Sequence, residues 1–247
     1  MSSNSDGHSP LDQFKIKKIV EMDLFGIDIS ITNSSLYMMI ATFLVCLFLF
    51  LSTRKVNILP NRLQIIAESF YLFIKNLIQS AIGDEGMKFF PLIFSLFMFI
   101  MFCNILGMTP YSFTATSQII VTLSLALISF LTITIFAIYR NGFGGFFHMF
   151  LPSGVPGFMK PLIFAIELFS FLIRPVTLSV RLFANMVAGH VLLKVIAGFV
   201  ISLGLAGIFP LLFAILMTGF ELFVALLQAY IFAILVSAYL AEVTKSH

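Results

Sequence analysis

Two stretches of this sequence, Phe89 to Met108 and Ile119 to Tyr139, run for 20 and 21 residues without a single charged side chain. About 20 apolar residues suffice for a helix to cross the hydrocarbon core of a bilayer. In lipid the backbone must satisfy its own hydrogen bonds, which leaves helices and closed barrels as spanning structures. Both runs therefore predict spanning helices. Composition agrees: 60% of the 247 residues are hydrophobic and 10% charged, against about 25% charged in soluble domains. The fold class is therefore an all-α integral membrane protein. A net charge of +3 with no dense basic run excludes nucleic acid as a partner.

The remaining elements follow from the same pattern. Residues 1–30 read as a polar N-terminal tail, without the early apolar core of a signal peptide. A single membrane domain, 31–247, is expected to hold helices at about 33–52, 89–108, 119–139, 161–200 and 210–242. Between the first two, 63–83 has helical periodicity but carries Glu68 and Lys75, which predicts an amphipathic surface helix rather than a span. A Gly/Pro-rich loop follows Tyr139 and Arg140. The two cysteines, Cys46 and Cys103, sit in apolar runs and read as small buried hydrophobes. His148 in the loop has no companion ligand, so no metal or cofactor is expected.

Short loops set the orientation. Arg54, Lys55, Arg62, Lys88, Arg140, Lys160 and Lys245 fall on one side, and the uncharged connector from Thr109 to Gln118 on the other. Positive residues mark the cytoplasmic side, or the matrix side in a mitochondrion, so the C-terminus is expected there. Lys15, Lys17 and Lys18 run against this, on a long tail that the rule governs less tightly.

From Pro161 to Leu240 the ionisable acids, bases and imidazoles are only Glu167, Arg174, Arg181, His190, Lys194 and Glu221. Gly204, Gly207 and Pro210 mark a break near the middle. At about 1.5 Å per residue the arms would be roughly 60 and 50 Å long, against a core of about 30 Å. A long oblique hairpin is the expected form. Along its first arm Glu167, Ser170, Arg174, Thr177, Arg181 and Asn185 recur at helical spacing on one face. Each intramembrane charge costs about 2.5–3.5 kcal/mol, so a face that carries three is lining something. On the second arm Thr218, Glu221 and Gln228 share a face, and folding back brings Glu221 toward His190. A carboxylate beside an imidazole makes a proton relay. Blander roles stand beside these. Arg174 and Lys194 snorkel to an interface, Glu167 pairs with Arg174, and Asn104 is an interhelical hydrogen bonder. Arg181, with apolar residues far to both sides, suits snorkelling least.

The segments "RPVTLSVRLFANMVAGH" (174–190), "GFELFVALLQAYIFAILVSAYL" (219–240), "FCNILGMTPYSFTATS" (102–117) and "LDQFKIKKI" (11–19) closely resemble subunit a of the rotary F-type ATP synthases. The resemblance implies a non-catalytic stator subunit with two offset proton half-channels against a rotating ring of c subunits. It implies that Arg181 is essential and faces the ring carboxylate. Glu221, His190, Gln228 and Asn185 match positions in the proton path. Glu167, Ser170 and Thr177 resemble the cytoplasmic half-channel, and Asn104 joins the candidates. Many bacterial members carry a carboxylate where His190 stands and a histidine where Glu221 stands. The exchanged order here is the α-proteobacterial and mitochondrial one. Expected partners are the c-ring, b-type peripheral-stalk subunits, protons and membrane lipid. The expected location is the bacterial inner membrane, with the mitochondrial inner membrane as the alternative. A secondary ion-coupled transporter is the competing reading, but it calls for an internal repeat with paired broken helices, and none is seen. A purely structural scaffold leaves the buried charges without a reason.

Overall fold

The computed structural model describes residues 16, 18–21, 23–24, 27–28, 30–54, 60–109, 112–148, 150 and 157–245. Six α-helices dominate it: α1 (Asn33–Thr53), α2 (Arg62–Ala81), α3 (Phe90–Gly107), α4 (Ile119–His148), α5 (Lys160–Ser202) and α6 (Ile208–Lys245). Five of them are long and apolar enough to cross a bilayer, and α2 is not. The chain is an all-α integral membrane protein.

The N-terminal segment departs from a plain polar tail. Strands β1 (Lys18–Val20) and β4 (Ile31–Thr32) pair antiparallel, and so do β2 (Asp23–Leu24) and β3 (Ile27–Asp28). Strands of two or three residues are too short for alternation to reveal them. Residues 1–15, with Lys15, and Lys17 and Lys55 lie outside the described residues. Thr32 then starts α1 through a capping box: its hydroxyl accepts from the Ser35 N–H, and the Ser35 hydroxyl accepts from the Thr32 N–H. This satisfies two of the donors that a helix start leaves open.

The long helix of α4 breaks at Gly142, whose φ is +69° and ψ 171°, three residues past the expected end at Tyr139, and a short helical stretch follows as far as His148. A residue without Cβ takes that conformation cheaply. The bend turns the chain so that phenylalanines of the glycine-rich stretch pack instead of looping out. Phe146 meets Phe150 and Phe171 edge-on, at centroid distances of 5.3 and 5.9 Å. Phe150 also meets Phe164 and Phe171, and Phe171 meets Phe130. Edge-to-face pairs contribute about 0.5–1.5 kcal/mol each beyond their burial. This matters in lipid, where helix association rests on packing rather than on exclusion of water. Residues 151–156 of the expected loop lie outside the described residues.

α3 packs on α6, α4 on α5, and α5 on α6. The core between them holds Met98, Ile100, Leu178, Leu182, Phe232, Val236 and Leu240. Cys103 is buried there, whereas Cys46 is exposed on α1, contrary to its expected burial. One reason is position: α1 is apolar all round, so periodicity does not tell its lipid-facing side from its packed side.

The final hairpin breaks at a 3₁₀ turn, Gly204–Gly207, where Gly204 has φ +54°. Pro210 falls inside α6 rather than in the break, in its first turn, where a missing N–H costs nothing. A 43-residue helix is about 65 Å long at about 1.5 Å per residue. That is roughly twice the hydrocarbon thickness, so α5 must lie oblique to the bilayer normal. Far from the break, Arg174 on α5 forks onto Glu242 on α6, with Nη1–Oε2 2.5 Å and Nη2–Oε1 3.2 Å. Its guanidinium also lies over the Tyr239 ring at 4.6 Å. The ring and the paired carboxylate hold Arg174 on α6, away from the Glu167 that sequence alone offered as its partner.

Candidate functional site

The hairpin carries a line of polar groups that ends against the connector between α3 and α4. At the connector end, His190 on α5 sits between two elements. Its Nε2 is 2.9 Å from the Thr114 hydroxyl, and its Nδ1 is 3.7 Å from Glu221 Oε1 on α6. The second distance is too long for a hydrogen bond but short enough for charge attraction. Glu221 is 6% exposed. Neither of its oxygens has a hydrogen-bond partner among the described residues.

Gly189 makes the approach of the two arms close. A Cβ there would stand 2.6 Å from Glu221 Oε1 and 2.9 Å from its Cδ. Gly189→Ala therefore displaces the carboxyl group itself while leaving the surrounding apolar packing in place. Misplacement of a reacting group by about 1 Å can cost a hundredfold. Proton uptake by vesicles carrying the variant should fall by at least about tenfold, with the protein present at normal level. A native rate would show that this carboxyl position carries no weight.

Beneath this pair, Asn104 on α3 is fully buried. Its amide donates to the Ala225 carbonyl at 3.1 Å and accepts from the Thr116 hydroxyl at 2.8 Å. It joins α3, the connector and α6 at one point, as an interhelical hydrogen bonder does. Ala225 and Ala229 are buried on the inner face of α6, which allows this approach. Ala184 and Ala188 are exposed instead, so they do not pack between the arms.

Along the hairpin, Asn185 Nδ2 donates to Gln228 Oε1 at 2.9 Å, another bridge between the arms. One turn further stands Arg181, exposed on the outer face. Among the described residues it has no ion pair and no side-chain hydrogen bond. It lines a cleft of about 450 Å³ together with Asn185, Ala188, Gly189, Glu221 and Gln228. The structure thus brings Arg181, Asn185, Gln228, Glu221 and His190 into one neighbourhood. Glu167, Ser170 and Thr177 continue the face toward the far end of α5: Glu167 is half-buried, the other two exposed. The Thr177 hydroxyl donates back to the Arg174 carbonyl, so it is satisfied by its own helix. His148 has no described side chain.

Gly189 was legible from the sequence as a small residue that lets the two arms approach, whereas Thr114, Thr116 and the Arg174–Glu242 pair were missed. A signal for the two threonines was present: "SFTATSQ" (112–118) packs hydroxyls into a connector between apolar helices.

The fold and this line of groups define a class: a polytopic helical membrane protein whose last hairpin exposes a fixed cation beside a buried acid–imidazole pair. A sequence profile described as ATP synthase A chain matches residues 35–241. The chain is 51% identical over 242 residues to ATP synthase subunit a of Rhizobium etli, covering 95% of this chain and 96% of that one. It is 50% identical, with the same coverage, to ATP synthase subunit a of Rhizobium rhizogenes. The chain belongs to the ATP synthase A chain family.

Proposed function

We propose that this member of the subunit a family, a proton-translocating and non-catalytic stator subunit of the F0 sector, uses Arg181 as the fixed charge past which a ring carboxylate moves. The observation that carries the assignment is the exposed Arg181, with no ion pair among the described residues, on the outer face of the hairpin. A guanidinium stays charged at any relevant pH, and in a membrane it needs a carboxylate from outside the chain. The partner is the membrane carboxylate of a c-ring subunit.

The other groups then take roles by position. Glu221 and His190, with Asn185 and Gln228, form the half-channel that opens at the connector side. Asn104 holds α6 to α3 beside it. Glu167, Ser170 and Thr177 belong to the half-channel at the opposite end. A proton arriving at the Glu221 region neutralises the ring carboxylate, which then enters lipid as the cheap neutral acid. After nearly a full turn it meets the second half-channel and releases its proton. Arg181 favours the ionised acid and repels protons from the gap between the channels. The membrane potential contributes about 2.3 kcal/mol per charge per 100 mV, and it becomes torque only while the two channels stay separate.

Arg54, Arg62, Lys88, Arg140 and Lys160 cluster at the helix ends away from the connector. This supports a bacterial inner-membrane protein with the C-terminus in the cytoplasm. On that side b-type stalk subunits would hold the stator against the ring. The ring assignment is tested by disulfide trapping in the assembled complex. Cysteines at Ala184 or Ala188, exposed beside the polar line, should cross-link on oxidation to a cysteine one helical turn from the ring carboxylate. A cysteine at Phe43 on α1 should not. Failure of both α5 positions to trap the ring would overturn the assignment.

A further inference from the structure

The Thr114 hydroxyl touches two groups: His190 Nε2 at 2.9 Å and the Gly107 carbonyl at 3.2 Å. A hydroxyl has one hydrogen to give and lone pairs to receive. Both contacts are hydrogen bonds in one assignment only: Thr114 donates to the Gly107 carbonyl and accepts from an N–H at Nε2. The Gly107 carbonyl belongs to the last turn of α3, where carbonyls lack an intrahelical donor. The Ser112 hydroxyl lies 3.0 Å from the same carbonyl, but it is closer to the Leu106 and Thr109 carbonyls, at 2.7 and 2.6 Å. Gly107 is shaped for this contact: a Cβ there would stand 2.6 Å from the Thr114 side chain. Thr114 is itself 5% exposed, so its hydroxyl is held rather than free to rotate into solvent.

We propose that Thr114 is a positioning residue that fixes His190 as the Nε2–H tautomer, so that the imidazole takes up and returns its proton at Nδ1, the nitrogen toward Glu221. The inference rests on the Glu221/His190 half-channel assigned above and adds how that pair works. The step is a proton exchange: the Glu221 carboxyl O–H breaks, an Nδ1–H forms, and the acid–imidazole pair becomes carboxylate–imidazolium with no change in total charge. The Nε2 proton stays where Thr114 and Gly107 hold it. Protons therefore do not run through the imidazole from the connector. A proton that enters from the connector side passes beside the imidazole to Glu221, whose cleft leads on toward Arg181. Among the described residues, the charged groups about His190 include Glu221 on α6 and Lys194, one turn along α5. The connector residue facing it, Thr114, does not titrate.

The test uses the assembled complex in lipid vesicles with ¹⁵N-labelled histidine. His190 is one of four histidines, and its ring signals are identified by their absence from a His190→Gln variant. Above the titration range, the native protein should show a protonated Nε2 and an unprotonated Nδ1. Thr114→Val, of the same shape without the hydroxyl, should give a mixture of tautomers and at least about fivefold slower proton uptake. Thr114→Ser should restore both. A native spectrum with the proton on Nδ1, or a Thr114→Val spectrum like the native one, would overturn the proposal. The native spectrum decides even if the valine variant fails to assemble. Changed tautomers with unchanged uptake would leave the tautomer assignment standing and remove the pair from the proton path, which separates the two claims.

Discussion

Replacing Arg181 with alanine abolishes ATP-driven acidification of inverted vesicles while ATP hydrolysis and complex assembly persist. Arg181 is exposed on α5 and makes no ion pair among the described residues, so its removal breaks no contact that holds the hairpin together. Removing an intramembrane charge relieves about 2.5–3.5 kcal/mol of insertion cost, and the variant should insert at least as well as the native chain. What is lost is the bias on the ring carboxylate. A nearby opposite charge shifts an acid's proton affinity by about ten- to a thousandfold, and without it release into the second half-channel slows by that factor. The barrier between the channels goes as well. Passive proton conduction under an imposed potential should therefore persist or rise while pumping falls to background. Arg181→Lys should not rescue, because a lysine in an apolar setting sheds its proton where a guanidinium does not. Native acidification in Arg181→Ala vesicles would sink the assignment of the family's fixed charge to this residue.

Glu221→Gln is the second large effect. The amide has nearly the volume of the acid, so the close fit against Gly189 survives. The acid makes no hydrogen bond among the described residues, so the exchange forfeits none. The variant loses only the ability to hold a proton. A placed acid or base typically contributes about a hundred- to ten-thousandfold. Passive proton flux through the complex should fall by at least tenfold, with ATP synthesis falling in step. Glu221→Asp should lie between, since its carboxyl retracts by about 1.5 Å from an imidazole already 3.7 Å away. An unchanged flux in Glu221→Gln would take this residue out of the path.

The two residues show how far the sequence reached. Arg181 was legible because a permanent charge flanked by long apolar runs has few structural explanations. The helical recurrence from Glu167 to Asn185 then put it on a lining face. The spanning helices were legible for a similar reason, since bilayer thickness fixes their length. The break after Arg140 was legible too, from the glycine-rich stretch, but the short helical stretch beyond Gly142 was not, because it shows itself only where Phe146 packs onto Phe150 and Phe171.

The sequence by itself determined the class, the spans and the face on which the charges lie, because those depend on hydropathy and on a helix period that acts along the chain. It also held the motifs that tie the chain to its family. Tertiary structure alone decided which groups meet across elements. Glu242 rather than Glu167 holds Arg174, and Gly189 sets how close Glu221 can come to His190. Thr114, 76 residues before His190, reaches its imidazole from the uncharged connector between α3 and α4. Such contacts depend on how the hairpin packs against α3 and the connector, and side-chain spacing along one helix carries no record of that.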